Sequence, residues 1–208
     1  MAQEYSLHID PTQAQKQYKP KEILSMHPHK FMLWLFIVSS TMVFMAFTSA
    51  YIVRQSQGQW LEINLPVSFW YNTILIVASS VTAQLAYFAT KKDRLKLVKI
   101  LLLVTLGLGG AFLVGQWNSW SELVDMSVYF SGDADLAGSI AGSFIYVITG
   151  MHAAHIISAI IFMINMLIST LKYKVHSRST VYLEMSVTWW HYLGGLWIYL
   201  LLFLELNR

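Results

Sequence analysis

Four ionisable side chains lie in stretches that are otherwise apolar, and their types and spacing could support chemistry. His152 and His155 are three residues apart in TGMHAAH, so on a helix they share one face. Glu184 and His191 are seven residues apart, close to two helical turns, and also share a face. Ionisable groups in hydrocarbon are costly unless they meet protein or water, which makes these residues candidates for a functional site.

Three histidines and one carboxylate would form a ligand set suited to zinc or iron. His155 and His191 are predicted to lie at similar depth near the middle of a bilayer, where they could meet. Glu184, however, lies seven residues from His191, about 10 Å along a helix axis. Because metal–nitrogen bonds are only ~2.1 Å long, a single ion cannot use all four residues.

Two other interpretations of the histidines stay open. Haem needs one axial nitrogen on each side of the macrocycle, which His155 and His191 could supply from two helices. Alternatively, the histidines form hydrogen bonds with neighbouring groups and hold two helices in register. Glu184 is expected to reach interfacial water or to pair with a basic residue of the preceding loop, namely Lys172, Lys174 or Arg178.

The composition indicates a protein that folds in lipid. Of the 208 residues, 56% are hydrophobic and 12% are charged, whereas soluble chains carry about 25% charged residues. Eight Trp and eleven Tyr suit a protein with two membrane interfaces. The lack of cysteine excludes disulfides, thiolate catalysis and cysteine-ligated metal.

Five apolar segments must position these side chains, and each is long enough to cross a bilayer as a helix. They span residues 31–53, 69–90, 97–117, 138–171 and 181–204. The fourth would be about 51 Å long as a straight helix, against a core of ~30 Å, so it must tilt or extend beyond the membrane. We therefore predict an all-α integral membrane bundle of five transmembrane helices over 31–208, after a polar cytoplasmic arm over 1–30.

The basic residues predict an orientation. Twelve Lys and Arg residues precede the first segment or follow the second and fourth, against only Arg54 and Arg208 on the other side. The loop after the third segment offers only acids, which are Glu122, Asp125, Asp133 and Asp135. Because cytoplasmic loops carry the excess of Lys and Arg, we expect the amino terminus inside and the carboxyl terminus outside.

Several motifs resemble subunit III of haem-copper respiratory oxidases, in its short five-helix bacterial form. The strongest is TGMHAAHIISAI, then Glu184, then WWHYLGGLWIYL with Trp190, His191 and Trp197. In addition, WLFIVSSTMVFMAFTSAYIVR at 34–54 resembles the first helix of the short form, and GGAFLVGQWNSW at 109–120 resembles the end of the third. The resemblance covers roughly residues 31–204.

Three positions depart from the family pattern. Ser40 stands where the first helix normally carries a glutamate, and Ser119 and Gly194 also replace acids. Any role of the first-helix carboxylate in proton supply is therefore not carried over to this chain.

The resemblance implies a non-catalytic accessory subunit of a proton-pumping terminal oxidase in a bacterial cytoplasmic (inner) membrane. It implies that this chain holds no metal, and that haem and copper belong to partner subunits. The expected partners are catalytic subunit I, subunit II, membrane lipids and a possible larger respiratory supercomplex, without nucleic acid. Because electron-donor sites lie on other chains, either cytochrome c or quinol is compatible with the sequence, and we expect a cytochrome c oxidase.

In such a subunit the candidate residues would line a phospholipid-holding cleft between helices or would pack the bundle. These residues are His152, His155, Glu184, His191, Trp190 and Trp197. The alternative is a stand-alone membrane cytochrome or metal enzyme that uses the three histidines. A secondary transporter would show inverted internal repeats, which the sequence does not.

Overall fold

The structure is a computed structural model, and it describes residues 28–57, 60, 63–128, 130, 137–171 and 181–207. Five helices account for nearly all of them: α1 (Pro28–Ser56), α2 (Ser68–Lys91), α3 (Leu95–Asp125), α4 (Ala137–Leu171) and α5 (Val181–Leu206). The predicted all-α class and the five long apolar helices are confirmed, and each helix is long and apolar enough to cross a membrane. Most of the predicted arm, the loop 172–180 and the acids Asp133 and Asp135 lie outside the described residues.

The helices extend beyond the predicted apolar segments, most of all in α3. Its last turns are polar in sequence, yet Gln116, Ser119 and Leu123 recur at helical spacing and are buried against neighbouring helices. Packing of this face keeps the chain helical to Asp125.

A tight turn joins α2 to α3 and makes them antiparallel neighbours. Asp93 has a φ of 50°, a conformation that Asp tolerates better than most residues. Its N–H donates to the carbonyl of Thr90, and the N–H of Arg94 donates to the carbonyl of Ala89. These bonds cap the carbonyls at the end of α2 and reverse the chain within a few residues.

Helix α5 is the centre of the bundle. It packs against α1, α2 and α4, whereas α4 also packs on α3. Of its apolar stretch 56% is buried, against 22–33% in the other four helices. Among the described residues, α1 packs only on α4 and α5, so it lies at the edge of the bundle.

One close approach sets the distance between α3 and α5. A Cβ atom at Gly109 would lie 2.6 Å from Cη2 of Trp190, so a glycine is needed for the indole to reach the backbone of α3. On its other side, Trp190 Nε1 donates to Ser79 Oγ of α2 over 2.9 Å. This fully buried tryptophan thus joins three helices.

Candidate functional site

His152 lies in the interior of the bundle, surrounded by aromatic rings. Its ring centroid is 5.1 Å from that of Trp197, 6.0 Å from that of Phe112 and 6.4 Å from that of Phe44. It is fully buried, and neither ring nitrogen has a hydrogen-bond partner among the described residues. The side chain therefore joins α1, α3 and α5 through ring contacts alone.

His155 faces α1 and is only partly buried. Its Nδ1 lies 2.8 Å from the carbonyl oxygen of Met151, and because a carbonyl only accepts, the ring must donate there. Its ring lies 5.4 Å from that of Phe44 and 6.1 Å from that of Trp189. Phe44 contacts both histidines, which agrees with the predicted shared face of His152 and His155.

His191 points to another helix, so His155 and His191, which could have met at their predicted depth, do not do so. Its Nε2 donates to Gln84 Oε1 of α2 over 2.9 Å. The α5 residue that faces His155 is Trp189, and positions 189 and 191 project about 200° apart around a helix. In the described ranges, no three His, Cys, Asp or Glu side chains converge closely enough to hold a metal ion.

Glu184 forms an ion pair with Lys30, 2.8 Å between Oε1 and Nζ. The expected partners Lys172, Lys174 and Arg178 lie outside the described residues. The side chains of Lys30 and Glu184 are 32% and 37% exposed, which places the pair at the surface of the bundle. It connects the first turn of α1 to the first turn of α5.

Trp190 and Trp197, the two tryptophans of the family-like motif that are candidate site residues, both bond α5 to α2. Trp190 donates to Ser79, and Trp197 Nε1 donates to Thr73 Oγ1 over 3.1 Å. Trp197 also stacks on Phe69, with centroids 5.9 Å apart and planes 5° from parallel. Their indoles are thus packing elements with satisfied N–H groups.

The three positions that depart from the family pattern lie in packed surroundings. Ser40 is buried in α1, and its hydroxyl has no partner in the part of the chain that the structure describes. Ser119 accepts from Asn72 Nδ2 at 3.2 Å and donates to the carbonyl of Gly115 at 2.9 Å. A Cβ atom at Gly194 would lie 3.0 Å from Ser80 Oγ. A carboxylate at position 119 or 194 would therefore require neighbouring side chains to move.

Sequence reasoning missed the partners that other helices supply. Lys30 and Gln84 complete the contacts of Glu184 and His191, and Gln116 is a buried amide without a partner among the described residues. The one available signal was that Gln84 and Gln116 are rare amides inside apolar segments. Two tyrosines of α5 add contacts to α1, with Tyr192 Oη 3.0 Å from Thr41 Oγ1 and Tyr199 Oη 3.2 Å from Thr48 Oγ1.

Apolar cavities flank α5. One of about 620 Å³ lies between α1, α4 and α5. Its lining includes Pro28, His29, Leu33, Phe36, Phe162 and Trp189. Two further cavities of about 440 Å³ lie on either side of His191 and Gly195.

Comparison with known proteins identifies the family. The family model "Cytochrome c oxidase subunit III" matches residues 19–206. Probable cytochrome c oxidase subunit 3 of Nocardia farcinica is 30% identical over 174 residues, 80% of each chain. Cytochrome c oxidase subunit 3 of Corynebacterium diphtheriae is 27% identical over 79% of this chain and 80% of its own. Quinol oxidase subunit 3 of Bacillus spizizenii is 25% identical over 80% and 81%. Because the family model covers nearly the whole chain, the protein belongs to the cytochrome c oxidase subunit III family.

Proposed function

We propose that this chain is a non-catalytic accessory subunit of a proton-pumping haem-copper terminal oxidase. It stabilises catalytic subunit I, with subunit II in the same complex, and it holds phospholipid between its helices. The haem and copper of the complex belong to the partner subunits. Family membership supports this role, since the relatives above are subunits 3 of cytochrome c and quinol oxidases.

The observation that carries the proposal is the separation of the three histidines. His155 donates within α4, His191 donates to Gln84 of α2, and His152 is enclosed by aromatic rings. Each imidazole contributes to contacts between or within helices instead of converging with the others on one centre. Such an arrangement suits a structural bundle better than a ligand set.

The outward faces of the helices support a role in assembly. Large apolar side chains are more than half exposed on several helices, among them Met32, Trp34, Ile74, Leu103 and Trp117. Such faces need acyl chains or apolar helices of other subunits against them. In our proposal catalytic subunit I covers one of these faces, lipid covers the rest, and the complex can join a larger respiratory supercomplex.

The cavity of about 620 Å³ supports the lipid part of the proposal. It is lined almost entirely by apolar side chains, as an acyl chain requires. His29 lines its end near the Lys30–Glu184 pair, so polar groups stand where a lipid head group would lie. Phe36 on α1 and Trp189 on α5 both line the cavity and pack against each other, with ring centroids 4.8 Å apart.

The orientation in our proposal is the amino terminus inside a bacterial cytoplasmic membrane. The described basic residues support it, because one end of the bundle carries six of them and the opposite end carries Arg54. The six are Lys30, Lys91, Lys92, Arg94, Lys96 and Lys99.

Affinity purification in mild detergent tests the assignment. The tagged chain is expected to bring down two larger oxidase chains together with haem, and the chain separated from them should be colourless and free of stoichiometric metal. Turnover of the complex with reduced cytochrome c and with quinol then identifies the donor, for which we propose cytochrome c.

A Soret band in the isolated chain that disappears in His191→Ala would overturn the proposal in favour of a stand-alone cytochrome. Gln84→Leu is the matched control, because it removes the partner of His191 but leaves the imidazole in place. The lipid part of the proposal is tested by measuring the phospholipid that stays bound after the complex is stripped with detergent and purified again. The complex should retain phospholipid, and Leu33→Trp should lose it, because the larger side chain fills the cavity that Leu33 lines.

A further inference from the structure

Two neighbouring helices bury polar side chains that form no hydrogen bond within the part of the chain that the structure describes. Gln116 of α3 is 1% exposed and His152 of α4 is fully buried. In the described residues, six buried side-chain polar atoms lack a hydrogen-bond partner, and four of the six belong to this pair. Buried polar groups are nearly always satisfied by protein or by ordered water, so four such atoms on two residues require a partner.

Contacts on both sides place the two residues at the same level of the bundle. One turn before Gln116, Phe112 lies with its ring centroid 6.0 Å from that of His152. One turn after Gln116, Trp120 donates its Nε1 to Thr149 Oγ1, a residue one turn before His152. Because α3 and α4 run antiparallel here, Gln116 of α3 lies at the level of the α4 turn that runs from Thr149 to His152.

The donors and acceptors of the pair complement a water molecule. The Gln116 amide offers an N–H₂ donor and a carbonyl acceptor, and a neutral imidazole offers one donor and one acceptor. A direct bond between the two would satisfy one atom on each, but none of the four atoms forms a hydrogen bond within the described residues. A buried water typically makes two to four bonds to groups of this kind.

We propose that Gln116 and His152 hold a buried water molecule between α3 and α4, inside the bundle. The aromatic rings of Phe44, Phe112 and Trp197 enclose the imidazole and separate this site from acyl chains. Neither Gln116 nor His152 lines the apolar cavities beside α5. The water site is therefore distinct from the proposed lipid cavity and does not depend on the proposed function.

Radiolytic hydroxyl-radical labelling of the unaltered complex tests the site without any variant. Radicals generated from a bound water oxidise side chains next to it, even when those side chains are buried. Trp197, whose ring lies 5.1 Å from that of His152, should be labelled several-fold more than Trp190. Trp190 is the matched control, because like Trp197 it is buried in α5 and donates a hydrogen bond to α2, but its ring lies against Gly109 instead of His152. Equal labelling of the two tryptophans would overturn the proposal.

Cryo-electron microscopy of the assembled complex gives the second readout. Density for a water within hydrogen-bonding distance of both side chains is expected, and it should disappear in Gln116→Met, which keeps the volume and removes the amide. Met163→Leu is the control, because it alters a fully buried apolar residue of α4, the helix that carries His152, and should leave the density unchanged. A direct Gln116–His152 bond with no water between them, or density that persists in Gln116→Met, contradicts the proposal.

Discussion

Lys30 and Glu184, 154 residues apart in sequence, form an ion pair of 2.8 Å that joins the beginning of α1 to the beginning of α5. Helix α1 lies at the edge of the bundle and packs on only two of the other described helices. Farther along, its polar contacts to α5 include the hydroxyl pairs Thr41–Tyr192 and Thr48–Tyr199, and at its far end Tyr51 and Gln55 donate to the carbonyl of Asn207, just after α5. The ion pair thus fixes the end of a helix that has few other neighbours.

Glu184→Gln should loosen the first turns of α1 without unfolding the bundle. Both side chains are about a third exposed, so the loss of stability should be at most about 1 kcal/mol. The chain has no cysteine, which allows a spin label at a single introduced Met32→Cys. The label should become more mobile in Glu184→Gln.

Met42→Cys provides the control for this measurement, because residues 32 and 42 are both 68% exposed on α1 but only residue 32 is near the pair. The charge exchange Lys30→Glu with Glu184→Lys should restore the original mobility at position 32. Equal changes at positions 32 and 42, or no change at either, would show that the pair does not anchor the helix.

Substitutions of the candidate residues should affect the lifetime of the complex and not its chemistry. Glu184→Ala removes the bond to Lys30, and His191→Ala removes the bond to Gln84. Both should reduce assembly or hasten inactivation during turnover, while the initial rate of oxygen reduction per assembled complex stays within about twofold, a difference of ~0.4 kcal/mol. Loss of the initial rate in a fully assembled complex would contradict the accessory role.

The helices were predictable from sequence because a long apolar run needs no knowledge of its neighbours. The ends of the helices were harder to predict, because they depend on tertiary contacts. Helix α3 continues to Asp125 because Ser119 and Leu123 pack on other helices. The same distinction applies to the site. The spacing of His152 and His155 correctly placed both beside one surface, where Phe44 contacts each ring.

Partners across helices could not be predicted from spacing alone. Their predicted depth allowed His191 to approach His155, but the rotation of α5 directs Trp189 to His155 and His191 to Gln84. That rotation is set by the whole packed face of α5, including Trp190 against Gly109. Counting residues along two helices therefore predicts how deep a residue lies in the bundle, but not the direction in which its side chain points.

Gly109→Ala should destabilise the bundle, because the added methyl group would meet the indole of Trp190 at 2.6 Å. The indole is fully buried and bonded to Ser79, so it cannot move away freely. The expected cost is about 1–3 kcal/mol, as for other overpacked cores. Thermal unfolding in detergent, followed by tryptophan fluorescence, measures it.

Gly107→Ala and Gly110→Ala are the controls for the glycine prediction. A Cβ atom at either position would have nothing within 4 Å, so each change should be neutral or should stabilise the helix by up to about 1 kcal/mol. The close contact of Gly109 is disproved if Gly109→Ala behaves like its two neighbours.

Ser40→Ala and Ser79→Ala should have opposite effects, although both replace a buried serine on a helix. The Ser40 hydroxyl has no partner among the described residues, so its removal should be neutral or stabilising by up to about 1 kcal/mol. Removal of the Ser79 hydroxyl leaves the Trp190 N–H unsatisfied and should cost about 1–2 kcal/mol. Unfolding of the two variants under the same detergent conditions gives the comparison. A destabilised Ser40→Ala in the free chain would contradict this prediction, because it would mean that the hydroxyl has a hydrogen-bond partner within the chain.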